Sequence, residues 1–389
     1  MVGRLLLVFL FVSALSLPIG LVFTHNSNGP RSYVYQVALM LNFGVGYLIL
    51  RRLDDIDLFF RTFVATVGVI SIPLSIGLLQ AGILYDVHWF HNSTDLRTAI
   101  YGWPNGFSIL VVVAMVMCLR IISTATSRLV RRAYVVLAIG LGLCLILTFS
   151  KTGWGALAIA IWLLALRKWS VWRQLLLLAG GAATLFVLER VNGSFRDTVF
   201  TLGTLEERLR FLVLVLSRIK PILLLTGAGS QSLETLLAKY AKEQLEPGLS
   251  VGGLSAHDEF LNILVKAGVF GLILFVAVLV IVMWRTRRLT KSTDSRIAHL
   301  SRYWYAASWA VIASMLAIDE LHYWPVGALF WMMAGVAVHL LTHTQAQSGA
   351  STLPVNAPHP EPKPLRGLSQ QTPPTLPSPL EGGGDEHGP

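Results

Sequence analysis

Four polar stretches interrupt an otherwise apolar chain: DLRTAIYGWPNGFSIL at 95–110, TFSKTGWGAL at 148–157, GTLEERLRFLVLVLSRIKPILLLTGAGS at 203–230 and SAHDEFLNILVKAGVFGLILF at 255–275. Each sets a cation or an imidazole beside an apolar run: Arg97, Lys151, Arg208 with Arg210, and His257. A guanidinium fork holds phosphate oxygens two at a time, a lysine adds a point charge, and neutral imidazole near pH 7 accepts a proton from a hydroxyl. Taken one by one, plainer readings compete. Arg97 is placed to snorkel, Lys151 marks a hairpin tip, and His257 reads as an interfacial residue. Asp258 and Glu259 open a helix, where carboxylates favour the positive end of the dipole. Together, membrane-edge cations at three positions and a histidine point to function. The chemistry they suit is a lipid-borne phosphate or diphosphate whose departure needs no metal. Gly227 and Gly229 indicate a tight turn, but the lysine and Ser/Thr of a phosphate loop do not follow them. No Rossmann glycine pattern or zinc-ligand spacing occurs either, so no metal or other cofactor is expected.

These residues have to be held by membrane helices. Of 389 residues, 54% are hydrophobic and 13% charged, with mean hydropathy +0.63; soluble domains carry nearer a quarter charged residues. Apolar runs of about 20 residues, long enough to cross a bilayer, recur throughout. The hydropathy predicts about ten spans, near 4–24, 33–50, 58–84, 104–120, 133–150, 153–167, 174–190, 260–284, 303–321 and 325–342. The first lacks a small-residue cleavage site and is kept as a span. Arg51 and Arg52, the Arg120–Arg132 stretch, Arg167 to Arg173, and the Arg285–Arg302 stretch fall on alternate loops. The positive-inside rule makes that side cytoplasmic, with both termini. The net charge of +10 is thus a topology signal rather than a nucleic-acid signal. Cys118 and Cys144 lie inside apolar runs and form no disulfide framework.

The expected organisation is an N-terminal transmembrane bundle over 1–190, a long outward loop over 191–259, C-terminal transmembrane helices over 260–343, and a Pro-, Gly- and Ser-rich tail over 344–389. The loop contains an apolar run flanked by arginines, read as an amphipathic helix on the outer face. The tail cannot bury enough surface to order itself.

The ordered series, Arg97 before GWPN, then TFSKTG, then RLRF with GAG, then HDEFLNILVKAGVFGL, resembles the O-antigen ligase and polymerase family over roughly residues 35–340. Asp258 stands where the family usually has Asn, and Lys151 where Arg is common. The resemblance implies an all-α polytopic protein with a GT-C-like fold in the bacterial inner membrane. It also implies transfer of a glycan from undecaprenyl diphosphate to an acceptor at the periplasmic face. The acceptor would be lipid A–core, a second lipid-linked glycan, or a protein hydroxyl. Carried over by position, Arg97, Arg208 or Arg210 and Lys151 would hold the diphosphate and His257 would act as general base. A transporter or flippase of lipid-linked sugars needs similar cations, but favours mid-membrane polar groups and internal repeats, and no repeat is evident.

Overall fold

The computed structural model describes residues 1–24, 29–84, 104–148, 150–166, 169–170, 172–173, 213, 217, 221–229, 259–316 and 324–351. Among these, every regular element is a helix. In chain order they are α1 (Val2–Thr24), α2 (Gly29–Leu48), α3 (Leu53–Leu84), α4 (Pro104–Thr124), α5 (Arg128–Leu147), α6 (Lys151–Leu164), α7 (Pro221–Thr226), α8 (Glu259–Leu289), α9 (Ser295–Ser314) and α10 (Trp324–Ser351). Five described helices are long and apolar enough to cross a membrane: Leu53–Gly77, Pro104–Thr124, Arg128–Leu147, Glu259–Leu289 and Pro325–Thr344. Val2–Pro18 and Lys151–Leu164 are shorter apolar helices. The expected span at 174–190 lies outside the described residues, as does most of the 191–259 loop, where α7 is the one described helix. The expected domain boundary at 190 therefore falls where nothing is described.

Helix limits follow polar chemistry that hydropathy does not register. The span expected from 303 begins as α9 at Ser295, because Asp294 caps it and accepts from the backbone N–H groups of Arg296 at 2.8 Å and Ile297 at 3.3 Å. α10 runs on through Ser351, past the start expected for the tail, since Gln and Ala are good helix formers and no proline intervenes before Pro354. The chain folds as one compact unit over Met1–Ala346, and residues 352–389 lie outside those described.

α4 is the central post. Almost every residue from Phe107 to Ile121 is buried, as expected of a helix that is apolar on all sides. α3, α5, α6 and α9 all pack on it, while α5 turns Val136, Ile139, Leu143 and Ile146 outward. α2 crosses α10 at small residues. A Cβ on Gly46 would run into the Met332 carbonyl, and one on Gly335 into that of Phe43. Such close crossings let dispersion hold helices together where lipid offers no hydrophobic contrast.

One end of the bundle is basic. There, the side chain of Arg120, only 7% exposed, donates to Asp57 near the start of α3. Arg296 at the start of α9 donates to Asp54 at 2.6 Å and to Asp57 at 3.5 Å. Ser123 meets His299 at 3.2 Å and accepts from the Tyr303 hydroxyl at 3.3 Å. His299 precedes the expected span, and burial, followed by the Arg120 and Arg302 charges, lowers its pKa. The ends of α3, α4 and α9 are thereby tied. Arg120→Ala is expected to cost about 3 kcal/mol, the low end for breaking a buried pair, because Arg296 still faces Asp57. Thermal unfolding of the membrane-inserted protein in detergent measures it, and an unchanged midpoint would show the pair to be dispensable.

Candidate functional site

At the end opposite the arginines, the polar stretches meet in two pairs. The first pair joins the GWPN turn to the SKTG tip. Pro104 opens α4, where a missing N–H costs nothing. One turn on, Ser108 donates to the Asn105 carbonyl at 2.5 Å and lies 2.9 Å from the Ser150 hydroxyl. Ser150 is the N-cap of α6 and accepts from Gly153 N–H at 3.1 Å. Thr148 caps the end of α5, and the Trp154 indole N–H donates to the Leu145 carbonyl at 3.2 Å, closing the hairpin. Lys151 is the first helical residue of α6 and is exposed. Its ammonium thus adds to the positive end of that helix.

This contact requires glycine at 153. A Cβ there would fall 2.5 Å from Ser108 Oγ and 2.7 Å from its Cβ, whereas one on Gly155 would meet nothing within 4 Å. Gly153→Ala is expected to cost about 1–3 kcal/mol by overpacking. Gly155→Ala should be neutral or stabilise by up to about 1 kcal/mol. Melting curves of the two variants in matched detergent samples give the comparison; equal midpoints would refute the close approach.

The second pair joins the GAG turn to α8. The helix is broken at Gly268, with φ 69° and ψ −176°. Gly227 and Gly229 also have positive φ, at 83° and 74°. The two breaks interlock. Ala228 N–H donates to the Val265 carbonyl at 2.7 Å, replacing a bond the interrupted helix cannot make. A Cβ on Gly227 would collide with the Lys266 carbonyl, and one on Gly268 with the Leu225 carbonyl. Gly227 and Gly268 therefore serve backbone-to-backbone contact.

α9 connects the pairs, packing on α4, α6 and α8. At its far end the Met315 carbonyl accepts from Glu259 N–H at 2.9 Å, so the last turn of α9 receives the first turn of α8. The starts of α4, α6 and α8 consequently lie at one end of the bundle, each presenting the positive end of a helix dipole. Arg97, Arg208, Arg210 and His257 lie outside the described residues. Of the expected site residues, Lys151 is the one whose place is described.

Two sets of residues escaped sequence reasoning. Ser108 was hidden in an apolar helix, although its spacing from Asn105 and that of Gly153 from Ser150 have the form of helix-start contacts. Glu259 and Lys266, seven positions apart and so on one helix face, line a small cavity of about 30 Å³ with Tyr35 and Gln36 above Phe9, Phe275 and Trp331. Glu259 is 2% exposed and Lys266 half-buried. The signal was present in the spacing, but hydropathy averaged it away.

Among the described residues the protein is all-helical, with several helices suited to crossing a membrane and the described parts of its polar motifs at one bundle end. Residues 133–276 match the family model described as O-antigen ligase, which supports placing the chain in the O-antigen ligase and polymerase family. The match runs from α5 into α8 and contains the SKTG, GAG and HDEF motifs; GWPN lies outside it and reaches it through Ser108 and Ser150. No curated protein matches the chain.

Proposed function

We propose that the chain is a metal-independent glycosyltransferase that moves a glycan from an undecaprenyl-diphosphate carrier to an acceptor hydroxyl at the periplasmic face of the bacterial inner membrane. The family match supports a ligase or polymerase type of activity. The observation that carries the finer reading is the convergence of the SKTG–GWPN contact and the GAG–α8 interlock at the bundle end away from the basic loops. By the positive-inside rule, that end faces out of the cytoplasm.

In this reading Arg97, Arg208 and Lys151, with Arg210 in support, neutralise the diphosphate. His257 takes the proton from the acceptor hydroxyl as its oxygen attacks the anomeric carbon. The bond from that carbon to the diphosphate oxygen breaks, and the polyprenyl diphosphate leaves as the anion the cations already hold. Positioning and charge neutralisation then suffice, because the leaving group is good. The acceptor is a glycan or lipid hydroxyl, lipid A–core or another polysaccharide.

The test is turnover of a polyprenyl-diphosphate glycan by purified protein in detergent containing EDTA. Glycan transfer at the rate seen with added magnesium is expected. Arg208→Ala or Arg97→Ala should weaken donor binding, and lysine at either position should restore it only in part, because a point charge lacks the fork. Donor binding without bond cleavage would favour a flippase and overturn the reading.

A further inference from the structure

A second cavity, unrelated to the polar motifs, opens at the basic end between α1 and α2. It has a volume of about 530 Å³ and is lined by Leu6, Leu7 and Leu10 of α1 and by Met40, Phe43 and Tyr47 of α2, among others, with Arg4 at its rim. Its existence follows from packing. α2 is drawn onto α10 at Gly46 and Gly335, while the facing glycines, Gly3 and Gly44, would place a Cβ in open space. The lining from Met1 to Leu10 covers three turns, about 15 Å at 1.5 Å per residue. That is half of a hydrocarbon core of roughly 30 Å, the depth of one leaflet.

Positive charge stands at the rim on Arg4 and near it on Arg51. Arg4 is exposed. Tyr47 stacks with Phe43 at 6.3 Å and meets His339 edge-on at 5.5 Å. His339 in turn lies 4.4 Å from the His343 ring and within electrostatic reach of Arg51, which is exposed. A groove of leaflet depth, apolar along its length and cationic at its mouth, is complementary to one kind of molecule.

We infer that this groove binds an anionic phospholipid, one acyl chain lying between α1 and α2 and the phosphate held at the rim by Arg4 and Arg51. An aqueous anion has no use for the apolar length. Dispersion against the groove wall holds the chain, since surrounding lipid offers no hydrophobic contrast, and the arginines supply the preference for negative charge.

The experiment uses delipidated full-length protein in detergent, titrated with phosphatidylglycerol or phosphatidylcholine and read by native mass spectrometry. Phosphatidylglycerol should be retained at least tenfold more tightly. Gly44→Trp, which fills the groove, should lose both lipids, and the smaller Gly44→Leu should weaken both. Arg4→Gln with Arg51→Gln should erase the preference while leaving chain binding. Val136→Trp, on the exposed face of α5, should change nothing. Phosphatidylglycerol carrying a benzophenone on its acyl chain should crosslink to residues 1–10 and 37–47 of the unaltered protein, which keeps the test decisive if a groove variant fails to fold. Equal retention of the two lipids, crosslinks spread over α5, or a dimer that Gly44→Trp dissociates would each overturn the assignment.

Discussion

Replacing His257 by alanine is expected to lower single-turnover glycan transfer by about 10²–10⁴-fold, the range a positioned general base contributes. Membrane insertion and donor binding should change little, because a base acts mainly in the transition state. The proton to be removed sits on an acceptor hydroxyl, a poor nucleophile until deprotonated. Arg variants should differ in kind: a diphosphate left partly unpaired near lipid is disfavoured in the ground state too, so their donor affinity falls along with rate. The measurement is donor binding and single-turnover transfer for each variant in matched detergent samples. Near wild-type transfer by His257→Ala would remove it from the mechanism.

Gly268→Ala should be nearly as severe, for a structural reason. Gly268 has φ 69° and ψ −176°, a region essentially reserved for glycine, where another residue costs about 1–3 kcal/mol. A methyl there would also sit against the Leu225 carbonyl and 2.7 Å from the Gly227 nitrogen, which are backbone atoms that no rotamer change can move. The break in α8 and the GAG turn must then separate, and the 2.7 Å bond from Ala228 to Val265 goes with them. Because the segment just after His257 is the one displaced, transfer should fall at least tenfold even in protein that inserts and remains monodisperse. Ala228→Pro, which removes the same donor without altering a residue of α8, should do likewise. Gly155→Ala is the control. A folded Gly268→Ala protein that transfers glycan at the wild-type rate would show that the interlock does not position the chemistry.

Much of this was written in local sequence. Apolar runs near bilayer length located α3, α4, α5, α8 and α10, because each residue in such a run meets the same solvent and the signal accumulates along the chain. Alternating Arg-rich loops named the basic end for the same reason: interfacial charge acts loop by loop. The polar interruptions at Ser150 and Gly227–Gly229 were visible as breaks in apolar patterns, whereas the span expected over 260–284 gave no sign of the break at Gly268. What sequence alone did not determine is who meets whom. That Ser108 reaches Ser150, 42 positions away, that Ala228 completes a carbonyl of α8, and that Met315 receives Glu259 are contacts between distant segments. They depend on how helices cross, which depends in turn on where a missing Cβ lets two backbones touch. Gly153, Gly227 and Gly268 are equally glycines in the sequence as Gly3, Gly44 and Gly155, yet the first three abut another segment and the last three face open space. Only the tertiary structure separates a glycine needed for contact from one that leaves a groove, because the difference lies in the neighbour and not in the residue.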